Sequence, residues 1–148
     1  MKQTTKKVLA LLLVAIALFS FASCKNEVPP DVSDNWLWNN ALYTEDTALG
    51  EGAKHLGMLV TADGKTIVFN IYSDAETVGE ALMENGLVEG SDGQFGLYIS
   101  HVNGIKAVYE EDGAYWAFHN RDGELMSTGV DMTELHDGDV YELRYTKE

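Results

Sequence analysis

The sequence predicts an α+β fold in which a single helix packs on one face of a sheet. Three observations predict it. Two runs of alternating apolar residues, Leu56, Met58, Val60 and Ile67, Phe69, Ile71, flank a tight Asp63-Gly64 turn. Thr77-Val78-Gly79-Glu80 is a capping box that opens a helix. Beyond that helix, alternation and glycine-bearing turns return and continue to Tyr145.

The elements follow in order. Lys2, Lys6 and Lys7 precede an unbroken apolar run from Val8 to Phe19, and Ser20-Phe21-Ala22-Ser23 leads into Cys24, the only cysteine. The run is shorter than the ~20 residues a membrane-spanning helix needs. Its basic front and the small residues before the cut are those of a signal peptide. The layout is that of a bacterial lipoprotein signal, with cleavage before Cys24 and a diacylglycerol on its thiol. A plain secretory signal with an incidental cysteine is the alternative. Lipidation consumes the sole thiol, so the processed chain has no disulfide, redox site or cysteine-based metal site. Residues 1–23 are thus read as signal peptide and residues 24–34 as a lipidated tether containing Pro29 and Pro30. Residues 35–148 form the domain.

The formal net charge of −14 becomes about −17 once the three signal-peptide lysines are removed. Such a surface repels phosphate backbones, which excludes nucleic acid as a partner. It repels anionic lipid too, so the acyl chains alone would hold the protein at the membrane. The expected location is the extracytoplasmic face of the cell membrane, on a Gram-positive surface.

Trp36, Leu37, Trp38, Leu42 and Tyr43 end the polar tether abruptly. They are expected to form an extended segment lying on the domain; an exposed tryptophan pair that seeks a partner is the alternative. The hairpin and helix follow. Val78, Ala81 and Leu82 share one helical face, and Gly86 supplies the left-handed stop from which Leu87 can fold back. Leu97, Ile99 and His101 then alternate with Tyr98, Ser100 and Val102 before an Asn103-Gly104 turn. Tyr115 to His119 is a strand, turned by Asn120-Arg121-Asp122-Gly123 into a partner near Glu124. Asp131 to Leu135 is a short turn or one helical turn, and Asp137-Gly138-Asp139 launches a last strand with Tyr141, Leu143 and Tyr145 on one side. Hairpin, helix, then several strands is a β-grasp-like (ubiquitin-like) layout.

Little in the chain points to chemistry. His55, His101, His119 and His136 form no close pair of zinc-ligand spacing, and no P-loop, dinucleotide fingerprint or Gly-x-Ser-x-Gly appears. Glu110-Glu111-Asp112 and Asp137-Gly138-Asp139 lack the twelve-residue register of a calcium loop and lie at turns, where solvated acids are expected. The expectation is a non-enzymatic protein with no metal and no required cofactor. The aromatic strand stands out. Trp116 and Phe118 on one side are read as core, and Tyr115 and His119 on the other, beside Tyr98, as a surface for a flat ligand or a partner.

From about Leu49 to Tyr145 the chain resembles a family of bacterial surface domains similar to the C-terminal domain of transcobalamin and intrinsic factor. The matching residues are Leu49-Gly50-Glu51-Gly52-Ala53-Lys54, Thr77-Val78-Gly79-Glu80-Ala81-Leu82, Gly96-Leu97-Tyr98-Ile99, Val102-Asn103-Gly104, Tyr115-Trp116-Ala117-Phe118, Ser127-Thr128-Gly129-Val130-Asp131 and Asp137-Gly138-Asp139-Val140-Tyr141-Glu142-Leu143. In the vertebrate carriers this domain closes over one face of cobalamin while a helical barrel holds the other. The resemblance implies a corrinoid ligand and a site drawn from Tyr98, Asn103, Tyr115, Trp116, Phe118 and His119. No helical barrel is read in this sequence, so the domain would grip one face of a corrinoid, the other being left to a second protein. The expected function is ligand capture at the cell surface. A module docking on another surface protein or a transporter is the alternative.

Overall fold

The computed structural model describes residues 36–148. The expected signal peptide (1–23), the expected lipidation of Cys24 and the expected tether (24–34) lie outside the described residues. The fold is α+β with two mixed or antiparallel sheets. A five-stranded sheet has the order β1-β3-β2-β8-β7, built from β1 (Thr47–Gly50), β2 (Lys54–Ala62), β3 (Lys65–Ser73), β7 (Ala114–Asn120) and β8 (Asp139–Lys147). A three-stranded sheet pairs β4 (Val88–Gly93), β5 (Gly96–Val102) and β6 (Ile105–Lys106). Two helices, α1 (Val78–Glu84) and α2 (Tyr109–Asp112), and two 3-10 helices, η1 (Trp36–Asn40) and η2 (Val130–Met132), complete the described residues.

The hairpin forms as its pattern requires. Asp63 and Gly64 both take positive φ, 51° and 74°, which is the twist that matches two right-handed strands. Leu56, Met58 and Val60 then face the same side as Ile67, Phe69 and Ile71, and all six are buried. β8 runs parallel to β2, pairing Met58 with Tyr141 and Val60 with Leu143, and β7 closes antiparallel on its far side.

The capping box is present: the Glu80 N–H donates to Thr77 Oγ1 at 3.2 Å and the Thr77 N–H donates to Glu80 Oε2 at 3.3 Å. At the other end Gly86 (φ 65°) donates to Met83 O and Leu87 donates to Leu82 O, both at 3.0 Å. This pair of bonds satisfies two terminal carbonyls and folds Leu87 into the core. Val78, Ala81, Leu82, Val88, Val102, Ile105 and the sheet's inner row belong to one apolar cluster. The helix and the small sheet therefore share one core.

Two expectations are corrected. The Trp36–Trp38 segment is not extended but a 3-10 helix, and its tryptophans part company: Trp38 is buried and Trp36 is exposed. Burying an indole requires a partner for its N–H, and Trp38 Nε1 donates to Ala62 O at 2.9 Å while Lys65 Nζ sits over the ring. The strand partner expected near Glu124 shrinks to an isolated bridge between His119 and Leu125, because the turn from Asn120 to Gly123 is closed by side-chain bonds to Asn120 Oδ1.

Candidate functional site

A groove of about 230 Å³ lies between β5 and β7 and is lined by Leu97, Tyr98, Ile99, Tyr115, Trp116, Phe118, Gly129 and Val130. Its walls follow from the fold. Alternation on β5 brings Leu97 and Ile99 to it, and the inner row of β7 brings Trp116 and Phe118. Trp116 is braced edge-on by Tyr145 at 5.7 Å and donates its indole N–H to Ile105 O at 3.3 Å. Phe118 lies 5.0 Å from Tyr141. Both rings are almost wholly buried, so they serve the core and the groove wall together.

Tyrosines frame the mouth. Tyr98 Oη accepts the N–H of Tyr109 at 3.1 Å, and the Tyr109 ring meets Tyr115 edge-on at 6.5 Å. Tyr109 donates its own hydroxyl to Glu148, whose hydrogen bond and charge raise the Tyr109 pKa. Apart from tyrosine hydroxyls the groove has no ionisable lining. Such a lining suits an apolar surface.

The six residues named from sequence divide. Tyr98, Tyr115, Trp116 and Phe118 converge on this groove. Asn103 and His119 do not. Asn103 is fully buried at the β5–β6 turn, and its amide is bonded to the backbone of Tyr43. His119 lies on the other face of the large sheet, opposite Glu142, with Nδ1 donating to Ala117 O at 3.2 Å. Sequence reasoning missed Val130 and Tyr109 as contributors. Val130 arrives through a long loop, and Tyr109 through a helix of four residues, too short to leave a periodic signal.

The outer face of the sheet carries a polar cluster of its own. Burial presses the Glu142 carboxyl upward, yet hydrogen bonds from Arg144 and Thr61 and the charges of Arg144 and His119 outweigh it, so its pKa falls below the ordinary 4.5. Arg144 Nη2 donates to Glu142 at 2.6 Å. A broader depression of about 570 Å³ is lined by Lys54, Glu76, Thr77, Asp131, Met132 and Glu134. Lys54 there donates to Ala75 O at 2.8 Å.

Two clusters of polar side chains centre on histidines. Ser100 Oγ lies 3.0 Å from His101 Nδ1, and Glu89 faces that same nitrogen at 3.9 Å. One nitrogen cannot relay a proton between the two, so they form no nucleophile–base–acid chain. His136 meets Glu134 through Nε2 at 3.6 Å and Asp139 through Nδ1 at 3.5 Å, on opposite sides of its ring. Among the described residues no three His, Cys, Asp or Glu side chains converge as metal donors.

Residues 75–147 match the model of a domain of unknown function, DUF4430. The fold is shared with a candidate metal-binding protein from Ruminococcus gnavus ATCC 29149, at 32% identity and a TM-score of 0.59 over 65% of this chain and 99% of that one. The chain belongs to one family with that protein. It also shares its fold with haptocorrin, solved in complex with Cbi, at 20% identity and a TM-score of 0.50 over 64% of this chain. That likeness spans 25% of the haptocorrin chain. No curated protein matches the chain.

Proposed function

We propose that this protein is a non-enzymatic lipoprotein that captures a flat, largely apolar small molecule, a corrinoid in the first instance, on the groove between β5 and β7. The observation that carries the reading is the lining of that groove: four aromatic rings, three aliphatic side chains and no acid or base. The fold shared with haptocorrin adds support for the corrinoid class. At about 230 Å³ the groove is smaller than the ~300–1,000 Å³ of sites that enclose a drug-sized ligand. A corrinoid would lie across it, one face against the protein. In this reading the scaffold is β-grasp-like, with β2 and β8 parallel at its centre. Cys24 carries the lipid that holds the domain at the outer face of the membrane.

The test is calorimetric titration of the full chain with cyanocobalamin and cobinamide, alongside the Tyr115→Ala variant. The expected result is saturable heat with a dissociation constant near micromolar, about −8 kcal/mol, and loss of that heat in the variant with its fold intact. Absence of heat for the wild-type chain overturns corrinoid capture.

One observation favours docking on a protein as the second reading. Trp36 and Leu42 are both well exposed, and Leu42 packs against the Asn103-Gly104 turn. Trp38 cannot contribute, being core.

A further inference from the structure

β4 and β5 form a hairpin whose tip is Gln94-Phe95, between the paired residues Gly93 and Gly96. Phe95 is 87% exposed, the most exposed of the large apolar side chains among the described residues. Its place in the chain is informative. Phe95 lies at the turn two residues before Leu97, and Leu97 and Ile99 both line the groove. The tip is seated beside the opposite wall as well. Gly96, at φ 104°, approaches Asp131 so closely that a Cβ there would stand 2.8 Å from Asp131 Oδ1, and Asp131 follows the groove residues Gly129 and Val130.

That seat is imperfect. Asp131 Oδ1 is buried with no hydrogen-bond partner, and an orphaned acceptor weakens the contact that buries it. Within β4 the pairing register shifts between Glu89 and Gly90, and the strand from Glu89 to the tip is exposed. The hairpin tip thus stands beside the groove lining on a weak seat.

We propose that Phe95 is a ligand-contacting residue, an aromatic finger that closes over a ligand seated against Trp116 and Phe118. The inference rests on the groove reading above. It follows from the mismatch between a shallow groove and an overhanging ligand, since the uncovered surface would extend toward the tip. Phe95 supplies the missing apolar contact at no cost to the core, because its ring packs against little in the free protein.

The experiment titrates cobinamide into the full-length wild type, Phe95→Ala, Phe95→Leu and Tyr72→Ala, with far-ultraviolet circular dichroism on each. Tyr72 is the control, an exposed aromatic on the outer face of the sheet. The expected pattern is a dissociation constant weakened about ten-fold or more in Phe95→Ala, largely restored in Phe95→Leu and unchanged in Tyr72→Ala, with identical spectra. Wild-type binding that survives Phe95→Ala at equal affinity overturns the finger and leaves the groove reading standing. No cobinamide binding by the wild type overturns both, and the two failures are told apart by the wild-type titration alone.

Discussion

Asn103 holds Tyr43 by both ends of one side chain: its Nδ2 donates to Tyr43 O at 2.8 Å and its Oδ1 accepts the Tyr43 N–H at 2.9 Å. Sixty residues apart, the two are joined as a strand pair would be. The bond fastens the segment after η1 to the turn between β5 and β6. Asn103 also adopts φ 52°, which asparagine tolerates better than most residues. Asn103→Ala therefore strands a donor and an acceptor and adds backbone strain. The expected loss is about 2–4 kcal/mol by urea unfolding, and a variant within 0.5 kcal/mol of wild type (roughly the spread for neutral sites) would refute the clamp.

Gly79 sits in the first turn of α1, where alanine would ordinarily gain up to ~1 kcal/mol. Here a Cβ would stand 2.8 Å from both the Cα and the N of Asp131. Gly79→Ala is expected to destabilise by about 1–3 kcal/mol, with the sign reversed from the helix rule. Thermal unfolding decides it.

Thr77→Ala removes the acceptor for the Glu80 N–H and breaks the capping box. The cost is about 1 kcal/mol. Thr77→Ser, which keeps the oxygen, should recover most of it in the same denaturation series.

The Glu142 carboxyl is held below its ordinary pKa in the folded protein. Its contribution is therefore present above the unfolded value of 4.5 and is lost as pH falls through the folded value. Arg144→Met should lower the urea midpoint at pH 7, and the gap from wild type should narrow steadily as pH drops below 4.5. A gap independent of pH would mean that Arg144 acts through packing and not through Glu142.

The two tryptophans of η1 should answer differently. Trp38→Ala opens a core cavity and removes the indole donor to Ala62 O, for about 3–5 kcal/mol. Trp36→Ala should stay within about 0.5 kcal/mol of wild type. Equal losses would show that the pair acts as one unit.

Much of the fold was legible where local chemistry and tertiary packing agree. The Asp63-Gly64 turn, the alternation of β2 and β3 and both caps of α1 are short-range signals, and each reappears in the structure. β4 was not legible. Glu89-Gly90-Ser91-Asp92-Gly93 has the composition of a loop, and only pairing with β5 makes it a strand. β1 escaped notice because it has four residues and gains its place by parallel pairing to β3.

The site was half legible for a related reason. The aromatic strand announced Trp116 and Phe118, but nothing local says which second element will face them. His119 looked like Tyr115's companion because alternate residues share a face. The groove forms at the margin of β7, where Tyr115 contributes to the lining, while His119 lies opposite Glu142 and beside the Leu125 bridge. Asn103 entered the candidate site only through the family resemblance. A backbone segment from far upstream covers it.

The parallel pairing of β2 with β8 has a consequence for how the molecule comes into being. Leu56 through Thr61 wait for partners at Asp139 through Arg144, about 80 residues later, in the middle of the sheet and not at its rim. Until β8 arrives no strand pairing joins the hairpin to β7. The five-stranded sheet can therefore close only after β8 has been made. A nascent chain of this kind remains threadable until its final strand is made, and any truncation that removes β8 should yield an aggregating fragment instead of a smaller folded one.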